Sequence, residues 1–223
     1  VGDLGHRGEA YGQDDQVADL LEAWTGLLAR HTGDPRAADV GRRLIDAWSE
    51  PHRTYHSLTH LGDILSRVDE LAADADDPDA VRLAGWYHDA VYQGLPDDEE
   101  RSAQRAERDL SGLGVAPGMV DEVARLVRMT VSHDPAPGDR NAAVLSDADL
   151  ASLALPAGRY RRNSVAIRAE YPHIPDEVFR KGRIQVLAAL LDAPAVFRTD
   201  HGRREWEAAA RDNMRAELAE LSG

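Results

Sequence analysis

The chain has 223 residues, 26 Lys and Arg against 40 Asp and Glu, and no cysteine, for a formal charge of −14. That balance argues against a nucleic-acid polymer or an anionic membrane surface as partner, since both require a basic footprint. Without thiols there are no disulfides, thiolate metal sites or cysteine nucleophiles, so any metal must be held by His, Asp and Glu.

One hydrophobic core can be buried at this length, and a single domain over residues 14–223 is expected. Residues 1–13 are polar and Gly-rich without periodicity, which predicts a flexible leader lacking the apolar core of a signal peptide. No apolar run approaches the roughly 18 residues of a membrane span, and a cytoplasmic protein is expected.

From Asp14, the spacing of Val17, Leu20, Leu21, Trp24, Leu27 and Leu28 predicts a helix. Asp34-Pro35 caps a second through Val40, Leu44, Ile45 and Trp48, which Pro51 closes. A third runs from about Ser57 to Ala73, and Asp77-Pro78 opens a fourth that carries Trp86 and the pair His88-Asp89 as far as Gly94-Leu95-Pro96. Asp97-Asp98-Glu99-Glu100 places four acids at the dipole-favoured start of a fifth, ending near Gly112. Pro117 starts a sixth through Met129 that ends at Ser132-His133-Asp134-Pro135, and Pro137-Gly138 marks a loop. A helix or short turn then carries Asp147 and Asp149. Further helices are predicted over about 158–170, 176–191 and 202–221, the last with Trp206, Ala210, Met214 and Leu218 on one face. No alternating run is long enough for a strand, so the fold class expected is all-α.

The chemistry concentrates at His88-Asp89, an imidazole beside a carboxylate inside the apolar run Leu83–Val91, where burying titratable groups is costly. A divalent cation offsets that cost, because both groups are good ligands. If the pair lies on a helix, the two side chains point about 100° apart, which leaves the carboxylate free to bridge two ions. Upstream, His52, His56 and His60 recur every fourth residue. With Ser57 as N-cap, His60 falls in the first helical turn and points inward, His56 precedes the helix and reaches toward a substrate, and His52 lies in the approach. Asp147 and Asp149 lie on different faces of a helix, so only one reaches a shared metal.

The ordered set of His, His-Asp and Asp in a helical chain resembles the HD-domain superfamily of metal-dependent phosphohydrolases. Tyr55-His56-Ser57-Leu58-Thr59-His60 is similar to the Y-H-N-x-x-H signature of cyclic-nucleotide phosphodiesterases, with Ser57 in place of the Asn. A closer resemblance is to a group of uncharacterised bacterial HD phosphohydrolases. It runs through Glu50-Pro51-His52-Arg53, His88-Asp89-Ala90-Val91-Tyr92, Glu99–Ala103, Asp147–Leu150, Ile167–Tyr171 and Phe179–Arg183, and spans roughly Leu20 to Leu218. Asp98 stands where that group has an Asn.

The resemblance implies a single-domain HD-type helical bundle that holds one or two divalent ions (Mn, Mg, Fe, Co or Ni) through His60, His88, Asp89 and Asp147. It also implies hydrolysis of a small phosphate ester or nucleotide by a metal-bound hydroxide, with His56 and Asp89 as catalytic residues and His56 protonating the leaving oxygen. Asp89 could bridge to a second ion, with His133, Glu99 or Glu100 as additional ligands; alternatively His133 ends a helix and the two acids form a solvated first turn.

Arg53, His52 and His133 are the candidates for substrate contact, Arg53 as a planar phosphate clamp or else a surface ion pair. Arg168, Glu170, Tyr171 and Arg183 are read as ion-pair positions holding the C-terminal helices, and Trp86 as lining the site from behind. A di-iron oxygenase on the same scaffold, and a nucleotide- or metal-sensing module without turnover, are the alternatives. The partners expected are a small phosphorylated metabolite or nucleotide and a second copy in a homodimer.

Overall fold

The computed structural model describes residues 6–222, in which there are eleven α-helices and no strand. They are α1 (His6–Leu28), α2 (Ala37–Trp48), α3 (Leu58–Glu70), α4 (Pro78–Tyr87), α5 (Asp98–Gly112), α6 (Pro117–Met129), α7 (Arg140–Leu150), α8 (Ala157–Ala169), α9 (Asp176–Asp192), α10 (Asp200–Glu205) and α11 (Glu207–Ser222). Two 3₁₀ turns, Ala72–Asp74 and Ala151–Ala154, follow α3 and α7. The all-α expectation holds, and no described helix is long and apolar enough to cross a membrane.

Local chemistry sets the starts. Asp77 accepts a hydrogen bond from the Ala80 N–H at 3.0 Å with Pro78 in the first turn of α4, Asp139 does the same for Ala142 at the start of α7, and Thr199 for Gly202 in α10. The ends were harder to read. α4 stops at Tyr87, so His88 is its C-cap and Asp89 lies in the following turn, rather than both lying on the helix. The predicted helix over 202–221 is broken at Trp206 into α10 and α11. Of the expected leader, residues 6–13 belong to α1, and residues 1–5 lie outside the described residues.

α4 is the centre of the molecule. Seven of its ten residues are buried, and it packs against α3, α6 and α7. Such all-round burial needs an almost uncharged sequence, and Val81-Arg82-Leu83-Ala84-Gly85-Trp86-Tyr87 supplies it with one arginine, whose guanidinium reaches Asp69. Trp86 meets Trp24 edge-on at 5.2 Å, and Trp24 Nε1 donates to the Ala37 carbonyl at 2.7 Å. The approach of α1 to α2 depends on Gly41, where a Cβ would stand 2.3 Å from Trp24 Cδ1. Trp48 Nε1 donates to the Trp86 carbonyl at 3.0 Å and so ties the end of α2 to the end of α4. These contacts fix the C-terminus of α4 beside the first turn of α3 and the last turn of α7.

Candidate metal centre

Three helix termini meet there. His60 comes from the first turn of α3, His88 and Asp89 from the end of α4, and Asp149 from the last turn of α7. His60 Nε2 lies 3.2 Å from Asp149 Oδ1, and His88 Nε2 lies 3.1 Å from Asp89 Oδ2 and 3.9 Å from Asp149 Oδ1. Both Nε2 atoms are buried, yet neither makes a hydrogen bond of acceptable geometry. Buried polar atoms are rarely left so, and donor atoms that converge on a common point without pairing are arranged as ligands to a cation would be. His88 Nδ1 stands 2.9 Å from the Gly85 carbonyl, which can only accept. In the neutral ring the proton therefore sits on Nδ1 and the lone pair of Nε2 faces the carboxylates, the tautomer in which an imidazole binds a metal. His60, His88 and Asp149 form one group with metal-binding spacing, and His56, His60 and Asp89 form a second that shares His60.

Asp147, expected as the fourth ligand, is not among them. Two residues along a helix is a rotation of about 200°, and Asp147 faces the segment before α10. There Oδ1 accepts from the Arg198 N–H at 2.7 Å, and Oδ2 accepts from the Thr199 N–H at 2.8 Å and its hydroxyl at 2.7 Å. The carboxylate is fully buried in a structural clamp, and Asp149 takes the position facing His60 and His88. Burial pushes the Asp147 carboxyl up against the opposing pull of these donors.

His56 occupies the loop before α3. Its Nδ1 lies 2.6 Å from Glu170 Oε2 and its Nε2 3.9 Å from Asp89 Oδ2. Glu170 is the residue whose importance the sequence did not reveal. Its side chain is fully buried, and Oε1 accepts from the backbone N–H groups of Thr54, Tyr55 and His56 at 2.7, 2.7 and 2.9 Å. One carboxylate thus fixes both the loop and the imbalance of the His56 ring, with Nδ1 as donor and Nε2 toward the site. Burial raises the Glu170 pKa, but His56 and the loop N–H groups outweigh it and the net shift is down.

Arg53 and His52 do not line the site. The Arg53 guanidinium lies between Trp48 and Tyr92, 5.4 and 5.5 Å from their ring centres, and donates to the Asp89 carbonyl at 2.7 Å and to Glu50 at 3.1 Å. It supports the turn that carries Asp89 rather than clamping a phosphate. His52 is half exposed and pairs with the Tyr92 carbonyl at 2.8 Å.

His133 does face the site. Its Nε2 is 3.4 Å from Asp149 Oδ2 and its Nδ1 3.2 Å from Ser146 Oγ, and its backbone takes φ 49°, a conformation that costs energy in a residue other than glycine. Burial lowers the His133 pKa. Glu99 lines the same cavity, with its carboxyl raised by burial, whereas Glu100 is paired with Arg128 at 2.7 Å. Asp98 accepts from the N–H groups of Gln93 and Leu95, contacts that suit a carboxylate as well as an amide. The ring behind the site is Trp48, 5.3 Å from His88 and 6.2 Å from His60, rather than Trp86.

Charge is concentrated at this point. Burial pushes the His88 imidazole down, but the carboxylates of Asp89 and Asp149 outweigh it and lift its pKa to about 9. Burial likewise acts to raise Asp89 and Asp149, yet the surrounding imidazoles hold Asp89 at about 2 and Asp149 well below the ordinary carboxylate range. Both carboxylates are therefore ionised at neutral pH. They open into a cavity of about 510 Å³ walled by α8, α9 and the loop after α6. No protein-family model, curated protein or solved structure matches the chain.

Proposed function

We propose that the protein is a metal-dependent phosphohydrolase of the HD type, with His60, His88, Asp89 and Asp149 holding one or two divalent cations at the floor of the cavity. The observation that carries this reading is the pair of buried, unpartnered Nε2 atoms of His60 and His88 facing two ionised carboxylates. The donor set, nitrogen and oxygen without sulfur, suits Mn, Mg, Fe, Co or Ni.

A divalent cation in such a set lowers the pKa of a coordinated water and polarises a phosphoryl oxygen. The rest is the work of side chains. Glu170 holds the proton of His56 on Nδ1 and supports a positive imidazole, and His56 Nε2, on the cavity side, delivers its proton to the leaving oxygen as the P–O bond breaks. Glu99 and His133 complete the polar end of the cavity.

Elemental analysis of protein purified without chelator or affinity metal tests the first half. A screen for phosphate release from nucleotides and sugar and alkyl phosphates, with each of the five metals, tests the second. Stoichiometric metal with release is expected, and no bound metal would refute the reading. A second reading, a di-iron oxygenase, is favoured by His133, whose Nε2 lies beside the free oxygen of Asp149. Oxygen uptake by the ferrous protein without phosphate release would select it.

A further inference from the structure

The walls of the cavity above the carboxylates have spent most of their polar groups within the protein. Four tyrosines line it, and every hydroxyl is taken within the protein: Tyr55 by Ser152 Oγ at 2.7 Å, Tyr92 and Tyr171 by one another at 2.9 Å, and Tyr160 by Glu217. Arg183 is the one guanidinium among the lining residues, against the three carboxylates of Asp89, Glu99 and Asp149. Two of its three nitrogens are taken, Nε and Nη2 pairing with the two oxygens of Glu217 at 2.8 and 3.0 Å, which offsets its charge and leaves Nη1. The outer wall is apolar, with Leu150, Leu153, Ile167 and Leu190, and two of the exposed large apolar residues of the protein, Val131 at 65% and Val186 at 52% exposure, stand at its rim.

A site that recognises a sugar or a base needs free donors and acceptors to replace the water those groups lose, and unpaired polar groups on a buried ligand are costly. A site for a polyphosphate needs several cations. Above the carboxylates this cavity offers ring faces and aliphatic side chains, with Asn163 and Arg183 Nη1 the main uncommitted polar groups, since Ser132 Oγ donates to the Met129 carbonyl at 3.4 Å. His56, the proton donor, stacks 4.1 Å from the Tyr92 ring, so the leaving oxygen emerges beside an aromatic wall.

Resting on the phosphohydrolase reading above, we infer that the substrate is a phosphomonoester of a small apolar alcohol, one ring or a short branched chain in size, and neither a nucleotide nor a sugar phosphate. Water adds to phosphorus, the P–O bond to the alcohol breaks, and the oxygen departs with the His56 proton, while the proton that the water gives up restores His56 through solvent, giving the free alcohol and inorganic phosphate.

The test compares 2-phenylethyl phosphate with glycerol 3-phosphate and ribose 5-phosphate, all esters of primary alcohols, so that leaving-group reactivity does not decide the outcome. Burying a phenylethyl group predicts a kcat/KM advantage of at least about tenfold over glycerol 3-phosphate. Val186→Asn, at an exposed position that folding tolerates, should cut that ratio severalfold.

Calorimetric titration with 2-phenylethanol and with ribose, neither of which carries phosphate, gives a readout independent of turnover. The alcohol should bind with a negative heat-capacity change and ribose should not bind. Equal or greater kcat/KM for the sugar phosphates or for nucleoside triphosphates would overturn the inference while leaving the phosphohydrolase intact. No phosphate release from any ester with any of the metals would overturn the phosphohydrolase and this substrate with it, and the titrations would then show separately whether the cavity is apolar.

Discussion

Replacing Glu170 separates the folding role of this carboxylate from its effect on His56. Alanine removes the partner of three backbone N–H groups and of the His56 ring in a side-chain environment with no solvent access. At about 1–3 kcal/mol for each buried donor left unpaired, the three N–H groups alone put the loss in Glu170→Ala at about 3–9 kcal/mol, a large share of the 5–15 kcal/mol typical of a domain. Glutamine keeps an oxygen for the three N–H groups and loses the charge.

Exchanging charge-assisted for neutral hydrogen bonds costs Glu170→Gln about 1–3 kcal/mol. It also places an amide NH₂ against His56 Nδ1, which must then accept, so the imidazole proton moves to Nε2 and the positive ring loses its counter-charge. Proton donation by a positioned side chain is worth about 10²–10⁴ in rate. Glu170→Gln should accordingly lower kcat by about 10² or more and leave KM and metal content near wild type. Phosphate release, elemental analysis and urea denaturation on the same preparations measure all of these. An unchanged kcat in a folded, metal-loaded Glu170→Gln protein would refute the positioning argument.

Metal content should be lost in His60→Ala, His88→Ala, Asp89→Ala and Asp149→Ala and kept in His56→Ala, which loses turnover instead; elemental analysis decides, and metal loss in His56→Ala would make that residue a ligand. Asp147→Ala should retain metal yet lose about 2–4 kcal/mol in urea denaturation, because it strands the N–H groups of Arg198 and Thr199. Gly202→Ala should weaken the same clamp by about 1–3 kcal/mol, since its Cβ would stand 2.7 Å from both Asp147 Oδ2 and Phe197 Cβ.

On the acid side, Glu217 is raised by burial but pulled further down by Arg183, Tyr160 and Ser164, so the unfolded chain binds more protons than the native one as pH falls. Its contribution is present above the ordinary glutamate pKa and is lost as pH drops through the depressed folded value. Unfolding midpoints measured between about pH 7 and 3 should fall more steeply in wild type than in Glu217→Gln, and parallel curves would refute that assignment.

Most helix starts were legible because their signals are local. Asp77-Pro78, Pro117 and the acids at 97–100 each act within one turn, and the structure starts α4, α6 and α5 there. The misread features depend on partners far along the chain. No breaker lies between Trp86 and Gly94, so the end of α4 at Tyr87 has no sequence signature; Trp48 and Arg53, bonded to the Trp86 and Asp89 carbonyls, help hold it. Trp206 continues the apolar face of α11 and yet stands at the break from α10, because Phe197 and His201 pack edge-on against its ring.

The choice between Asp147 and Asp149 follows the same physics. Helical periodicity says that the two face apart, but the direction each faces is set by Arg198 and Thr199, some fifty residues later, whose N–H groups take Asp147 and leave Asp149 to the histidines. Glu170 sits at the C-cap of α8, where an acid opposes the helix dipole and is ordinarily solvated. It is buried there because the loop over 54–56 brings it three N–H donors and an imidazole. An acid at the unfavourable end of a helix, in a chain that has a histidine-rich loop to bring against it, is a signal that local sequence does contain, and it points to a distant cluster of donors rather than to solvent.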